Sequence, residues 1–287
     1  MSEKTCHGSC LCGTVRWTVT PPYSGMSHCH CSMCRKAHGA PFATYMGAKP
    51  ENLTFESGEE AIVSYESSPG FTRTFCGSCG SAVPGVIEGV MDIPAGCLDD
   101  DPGVRPDRHI FATHKAPWHV IADDLPQWQT YKEDGTGTVV ERPDPGPAKE
   151  GVLRGSCLCG GAAYEVTGAF VRVFNCHCRR CQKARAAAYT TNGFVEASAL
   201  RYTKGAELIK RFKLPEAKFF GQSFCTICGS GMPRSDAKEG PVFVPFGSLD
   251  DDPGKGADCH IYTAYKAPWY DFEDDLPKHE EQPPEKV

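Results

Sequence analysis

Seven cysteines occur twice along the 287-residue chain, in one order and at nearly one spacing, and that doubling constrains the fold more than any other feature. The first set is Cys10, Cys12, Cys29, Cys31, Cys34, Cys76 and Cys79; the second is Cys157, Cys159, Cys176, Cys178, Cys181, Cys225 and Cys228. The first five correspond at an offset of 147 residues and the last two at 149. Two residues are therefore inserted in the second set, in a loop, where length changes are most easily absorbed. Repetition continues beyond the cysteines: LDDDPG at 98–103 returns at 249–254, His109 with KAPW at 115–118 returns as His260 with KAPW at 266–269, and DDLP at 123–126 returns at 274–277. Each unit spans well over a hundred residues, so the pattern is a duplicated domain and not a solenoid, whose repeats are several times shorter.

The length suits two ordinary domains. Polar, Pro- and Gly-rich sequence runs between the repeats, at 132–137 and 142–147. This places one domain at 1–140, a linker at 141–150 and a second domain at 151–287. No basic region followed by an apolar run opens the chain, and no apolar stretch approaches membrane-spanning length, so a soluble, cytoplasmic protein without a membrane partner is expected. The first 143 residues hold 11 Lys and Arg against 17 Asp and Glu, while residues 144–287 hold 19 of each. Neither half has the basic excess of a general nucleic-acid binder.

Seventeen cysteines is an odd count, and the spacings C-x-C and C-x-x-C are better at chelating one metal ion than at bridging separate segments. Cys6, Cys97 and Cys259 fall outside the repeat and read as ordinary thiols. Strand signals dominate each unit: residues 14–20 and 162–167 alternate with period two, and 61–65, 71–75, 208–212 and 242–246 are further short strands. Residues 35–38 and 182–188 suit single helical turns. Two mainly β domains with cysteines in their loops are the expected fold class.

Seven thiolates exceed one tetrahedral ion, and spacing divides them. Cys10, Cys12, Cys76 and Cys79 form two chelating pairs far apart in sequence, as do Cys157, Cys159, Cys225 and Cys228. Four thiolates saturate zinc, which makes these sites structural. Cys29, Cys31 and Cys34, and likewise Cys176, Cys178 and Cys181, supply three ligands from one tight loop and leave a fourth position for water or substrate, which distinguishes catalytic from structural zinc. Up to four zinc ions per chain follow. Alternatively His30 or His177, lying between adjacent ligands, closes the triad.

GSCLCG at 8–13, Cys29-His30-Cys31-Ser32-x-Cys34-Arg35-Lys36, FC-x-x-CGS at 75–81 and KAPW at 115–118 resemble the glutathione-dependent formaldehyde-activating enzyme family, which includes centromere protein V; matching motifs at 155–160, 176–181, 224–230 and 266–269 carry the resemblance through the second unit. The resemblance implies a β-tent fold in each unit, structural zinc on the quartets, and a triad zinc that handles a thiol cosubstrate such as glutathione and its carbonyl adduct. Most members have one such domain, and the tandem is a departure. Zinc bound by three thiolates suits holding a substrate thiol as thiolate, so making or breaking a carbon–sulfur bond is the expected lyase chemistry. His30 and His177 are candidates for proton transfer or for orienting the ligand loop, and Arg35, Lys36, Arg179 and Lys183 for meeting the thiol's carboxylates. The noncatalytic alternative is a zinc scaffold binding a protein or chromatin partner.

Three further expectations concern repeated positions. Ala186 replaces the equivalent of Gly39, which favours the first site as the conventional one, through a narrower pocket or a restricted backbone in the second. The Asp triplets read as turns. Trp118 and Trp269 read as caps on the core.

Overall fold

The structure is a computed structural model that describes residues 4–137, 139–140, 146–218, 220–234, 236, 238–272 and 274–284. Residues 141–145 of the expected linker lie outside the described residues. The first repeat contains β1 (Cys6–Ser9), β2 (Arg16–Val19), β3 (Tyr23–Cys29), α1 (Ser32–His38), β4 (Ala43–Ala48), β5 (Leu53–Ser57), β6 (Ile62–Ser68), β7 (Phe71–Cys76), β8 (Gly85–Ile87), β9 (Val90–Pro94) and β10 (His109–Ile110). The second contains β11 (Val152–Ser156), β12 (Ala163–Thr167), β13 (Arg172–Cys176), α2 (Arg179–Arg185), β14 (Thr190–Glu196), β15 (Leu200–Lys204), β16 (Ile209–Lys213), β17 (Gly221–Cys225), β18 (Gly231–Met232), β19 (Pro241–Pro245) and β20 (Cys259–Ile261). The expected mainly β class holds, and each expected strand lies within a few residues of an observed one. No helix among the described residues is long and apolar enough to cross a membrane.

Period-two patterning does what it should: Trp17 and Val19 of β2 are buried while Arg16 is exposed, and Tyr164 and Val166 of β12 are buried likewise. The strands of each repeat form small sheets in the same order, β1-β2-β5 with β3, β4, β9 and β10 in one and β11-β12-β15 with β13, β14, β19 and β20 in the other. In each, the short strand after the Asp triplet pairs in parallel with the strand that ends on the first triad cysteine, His109 opposite His28 and His260 opposite Asn175.

The repeats are not separate bodies, and this the repeat pattern did not foretell. Trp269, Ala267 and Tyr270 of the second repeat are buried in one cluster with Met26, Phe42 and Met46 of the first. Reciprocally, Trp118 stands edge-on to Phe246 with ring centroids 5.3 Å apart. The two tryptophans do cap a core, but each caps the other repeat's. The exchange extends to the backbone. A Cβ on Gly96 would lie 2.1 Å from Ala187 N, and one on Gly247 would lie 2.4 Å from Ala40 N, so glycine is required for each repeat to approach the other's helix end.

Two lysines lock this interface. Lys36 of α1 is 2% exposed and its ammonium donates to Ser156 O (2.9 Å), Ser156 Oγ (3.2 Å), Ser248 O (2.7 Å) and Asp250 Oδ1 (2.5 Å). Lys183 of α2 donates to Ser9 O at 3.1 Å and Asp99 Oδ1 at 2.6 Å, and also to Ser9 Oγ. A buried ammonium needs such saturation, because desolvating it without partners is costly. The Asp triplets lie in bends, with Asp101 Oδ1 accepting from Gly103 N at 3.0 Å and Asp252 Oδ1 from Gly254 N at 2.9 Å, and their first members, Asp99 and Asp250, are the counter-ions of these lysines.

Candidate functional site

Four groups of cysteine sulfurs converge, each with its Sγ atoms within 4.8 Å of one another: the two quartets and the two triads. In the first quartet, Cys10 and Cys12 sit in the turn after β1, and Cys76 and Cys79 at and beyond the end of β7. Leu11 N donates to Ser81 Oγ at 3.0 Å and ties the two turns together. The second quartet repeats the arrangement with Leu158 N donating to Ser230 Oγ at 2.9 Å. Cys10–Cys12 and Cys12–Cys76 sulfurs are 3.4 and 3.8 Å apart, and Cys157–Cys159 and Cys159–Cys225 are again 3.4 and 3.8 Å. Metal–thiolate bonds of about 2.3 Å in a tetrahedron put sulfurs about 3.8 Å apart, so these sets fit one ion each.

The triads are built on a strand-to-helix corner. Cys29 ends β3, Cys31 is the N-cap of α1 and accepts from Cys34 N at 3.3 Å, and the Cys29 and Cys31 sulfurs are 3.6 Å apart. Cys178 caps α2 in the same way, accepting from Cys181 N at 3.4 Å. Hydrogen bonds from the neighbouring cysteines hold Cys31 well below the usual thiol range and bring Cys178 down to about 3, so each N-cap sulfur is poised as thiolate. Each triad lines a cavity, of about 820 Å³ in the first repeat and about 800 Å³ in the second.

His30 and His177 do not complete these sets. Each ring is fully buried and turned into a chain behind the ligand loop: His30 Nε2 lies 2.8 Å from His109 Nδ1, whose Nε2 is 2.9 Å from Asp123 Oδ1. The matching distances are 2.7 Å for His177 to His260 and 3.0 Å for His260 to Asp274. With the carboxylate accepting from Nε2–H of the outer histidine, its Nδ1 accepts from the inner histidine. Burial brings His177 down to about 3 and depresses His30 further, so both inner rings are neutral. Neither ring is among the residues that line the two triad cavities or within the three-sulfur sets, and each is placed to orient its ligand loop from behind. The repeated Asp-Asp-Leu-Pro motif, read only as a marker of the fold, supplies the far end of each chain.

Of the four basic residues expected at the thiol, Arg35 lines the first cavity, as does the stem of the largely buried Lys36. Lys36 and Lys183 are consumed by the interface described above. Arg179 also turns to the other repeat, donating to Gly96 O at 3.3 Å and to Leu98 O and reaching Asp99 Oδ1 at 3.1 Å. Arg180, beside it in sequence, is exposed and lines the second cavity. Of the two effects expected of Ala186, a narrower pocket is not seen, whereas its backbone does take the conformation that glycine favours. Ala186 adopts the left-handed conformation of Gly39, φ 51° against 61°, and lies packed in the interface rather than in the cavity.

Sequence reasoning passed over the cationic partner of each triad. Arg73 Nη2 is 3.5 Å from Cys34 Sγ. Burial opposes its charge, but Cys34 and Tyr45 outweigh that and raise its pKa. Arg73 lies on the face of β7 that also bears Phe71 and Phe75, and a charge on an apolar face was the available signal. In the second repeat Gln222 stands at that position and Arg185, the counterpart of His38, supplies the guanidinium, brought down to about 10 by burial and opposed by Cys181. Room for it comes from Gly231, where a Cβ would lie 1.5 Å from Arg185 Nη1; the first repeat has Ala82 there and the smaller His38. The first cavity also holds Asp92, pushed up to about 7 chiefly by burial and then by Cys34.

The family description "Glutathione-dependent formaldehyde-activating enzyme" matches residues 5–114 and 152–265. The chain belongs to this family. It carries two copies of the family domain, and the matched segments contain every cysteine of the quartets and triads. A Halomonas elongata protein provisionally named a glutathione-dependent formaldehyde-activating enzyme is 32% identical over 122 residues, covering 39% of this chain and 77% of that protein. A crystal structure of a Rhodobacter sphaeroides protein matches 33% of this chain and 86% of its own, at 24% identity and a TM-score of 0.26.

Proposed function

We propose that the quartets hold structural zinc, that Cys29, Cys31, Cys34 and Cys176, Cys178, Cys181 hold zinc with an exchangeable fourth position, and that the protein makes or breaks the carbon–sulfur bond between a small thiol such as glutathione and an aldehyde. The observation that carries this reading is the pair of three-sulfur sets at cavities large enough for a tripeptide-sized ligand, each cavity also lined by a half-buried arginine, Arg73 or Arg185. Zinc at such a set supplies a Lewis acid that keeps a bound sulfur nucleophilic at neutral pH.

The chain's own residues do the rest. Three thiolates and one divalent ion carry a net charge of −1, and a thiolate cosubstrate makes it −2. Arg73 and Arg185, half-buried at the cavity walls, are placed to offset that charge. Arg35 and Arg180 are placed to meet carboxylates of the thiol at the cavity walls. Asp92, titrating near neutrality in the first cavity, is suited to exchange a proton with the aldehyde oxygen as the carbon–sulfur bond forms or breaks. The Asp–His–His chains hold the ligand loops from behind.

Cobalt replacement followed by titration with glutathione and other cellular thiols tests this directly. A fourth thiolate should intensify the sulfur-to-metal charge-transfer band, and Cys31→Ser with Cys178→Ser should abolish the change. No spectral response to any thiol, with turnover of the S-hydroxymethyl adduct of glutathione also absent, refutes the enzyme reading and leaves the scaffold.

A further inference from the structure

The two cavities are nearly equal in volume but are walled by different chemistry at equivalent places in the sheet. In the first repeat, β4 and β9 put Gly47 opposite Asp92, and β3 and β4 put Ser27 opposite Tyr45. In the second, the same registers put Phe194 opposite Phe243 and Phe174 opposite Asn192. Small and polar positions have thus become three phenylalanines. Their rings form a ladder, Phe174 to Phe194 at 5.6 Å and Phe194 to Phe243 at 4.3 Å between centroids, both edge-to-face. All three line the cavity that contains the second triad, and Phe174 packs against the buried cluster of Cys176, Cys178, Cys259 and Ile261.

Cross-strand aromatic pairs also form on the solvent faces of sheets. Two observations argue against mere sheet packing. Phe243 lines the cavity and is 52% exposed, at the outer end of a ladder whose inner end packs against the cluster holding Cys176 and Cys178, leaving apolar surface uncovered in the cavity. In the same exchange Asp92, the acid of the first cavity, is lost to Phe243, so the change removes a polar function and adds an apolar wall at one stroke.

We infer that the second triad prefers, more strongly than the first, thiols or thiol adducts carrying an aromatic group, which stacks on the Phe174–Phe194–Phe243 ladder while its sulfur meets the triad. This inference rests on the thiol reading above. An aromatic ring offered to the open ladder gains both buried apolar area and edge-to-face contacts; the first cavity has aromatic residues of its own, Tyr45, Phe71, Phe111 and Tyr131, but has Ser27, Gly47 and Asp92 where the ladder stands in the second.

The test compares benzyl mercaptan with 2-mercaptoethanol by calorimetry on the full-length zinc-loaded protein, using Cys31→Ser/Cys34→Ser to leave the second triad and Cys178→Ser/Cys181→Ser to leave the first. At the second triad benzyl mercaptan should bind about tenfold tighter or more, at the first less than about threefold, and Phe194→Gly/Phe243→Asp should bring the second triad's preference below threefold. Because Phe243 is largely exposed, Phe243→Asp alone in the otherwise unaltered chain gives a second measurement in a protein that keeps all its cysteines, where the tight benzyl mercaptan class should disappear. Equal preference at both triads, or a preference that survives the phenylalanine substitutions, overturns the inference while leaving thiol binding intact. Absence of binding by either thiol at either triad overturns the thiol reading itself, and the inference with it.

Discussion

Replacing Lys36 with methionine separates its structural role from the substrate contact that the sequence suggested. The substitution keeps the stem and removes an ammonium that is 2% exposed and donates to two backbone carbonyls, a serine hydroxyl and the Asp250 carboxylate. Asp250 is then left with its side chain 18% exposed and without its cation, and the Ser156 and Ser248 carbonyls lose a donor. Removing one partner of a buried pair costs about 3–5 kcal/mol, and the partial exposure of Asp250 places the expected loss near the lower figure. Urea unfolding of the zinc-loaded protein reads the change as a lower midpoint, and the cycle with Asp250→Asn and the double variant isolates the coupling between the two side chains. The double variant should recover part of the loss, since it leaves no uncompensated charge. Destabilisation below about 1 kcal/mol, as for an exposed ion pair, together with weaker glutathione binding, would refute the assignment and return Lys36 to the thiol site.

Three other outcomes are expected. Cys10→Ser or Cys225→Ser should forfeit much of the roughly 10 kcal/mol that a structural zinc contributes to a small module, whereas Cys31→Ser or Cys178→Ser should mainly lose triad metal; thermal melts read beside zinc content decide, and equal destabilisation by all four contradicts the division of sites. Asp123→Asn should loosen zinc at the first triad by about 10- to 100-fold in competition with a chelator, through His109 and His30, while both quartets stay loaded. His28 is buried and brought down to about 3 by desolvation, against 6.5 for the free side chain. The unfolded chain therefore binds a proton that the folded chain does not between those values, and stability falls as pH drops below 6.5, by about 2 kcal/mol at pH 5 from this residue. His28→Asn, which installs the residue the second repeat has as Asn175, should flatten the dependence of unfolding free energy on pH between 5 and 7, with zinc content followed in parallel; an unchanged slope rejects the assignment.

The sequence alone determined the duplication, the mainly β class and the partition of fourteen cysteines into quartets and triads. Chelation by close pairs is a local property, since C-x-C and C-x-x-C place sulfurs by short stretches of backbone whatever surrounds them. Tertiary structure decided whom each residue serves. Lys36 and Lys183 sit in helices beside the triads, so proximity in sequence suggested the substrate, but their ammonium groups reach across to Ser156 and Ser9 of the opposite repeat. Trp118 and Trp269 are visibly core residues, and only the packing shows that each belongs to the other copy's core. His30 and His109 are 79 residues apart and come within hydrogen-bond distance because β10 lies parallel to β3. Likewise Arg73 and Arg185 reach equivalent sulfurs from different elements, and the aromatic ladder exists only in the register of three strands. A spacing rule cannot see such contacts, because burial, charge compensation and ring stacking depend on distances between segments that the chain brings together only when it folds.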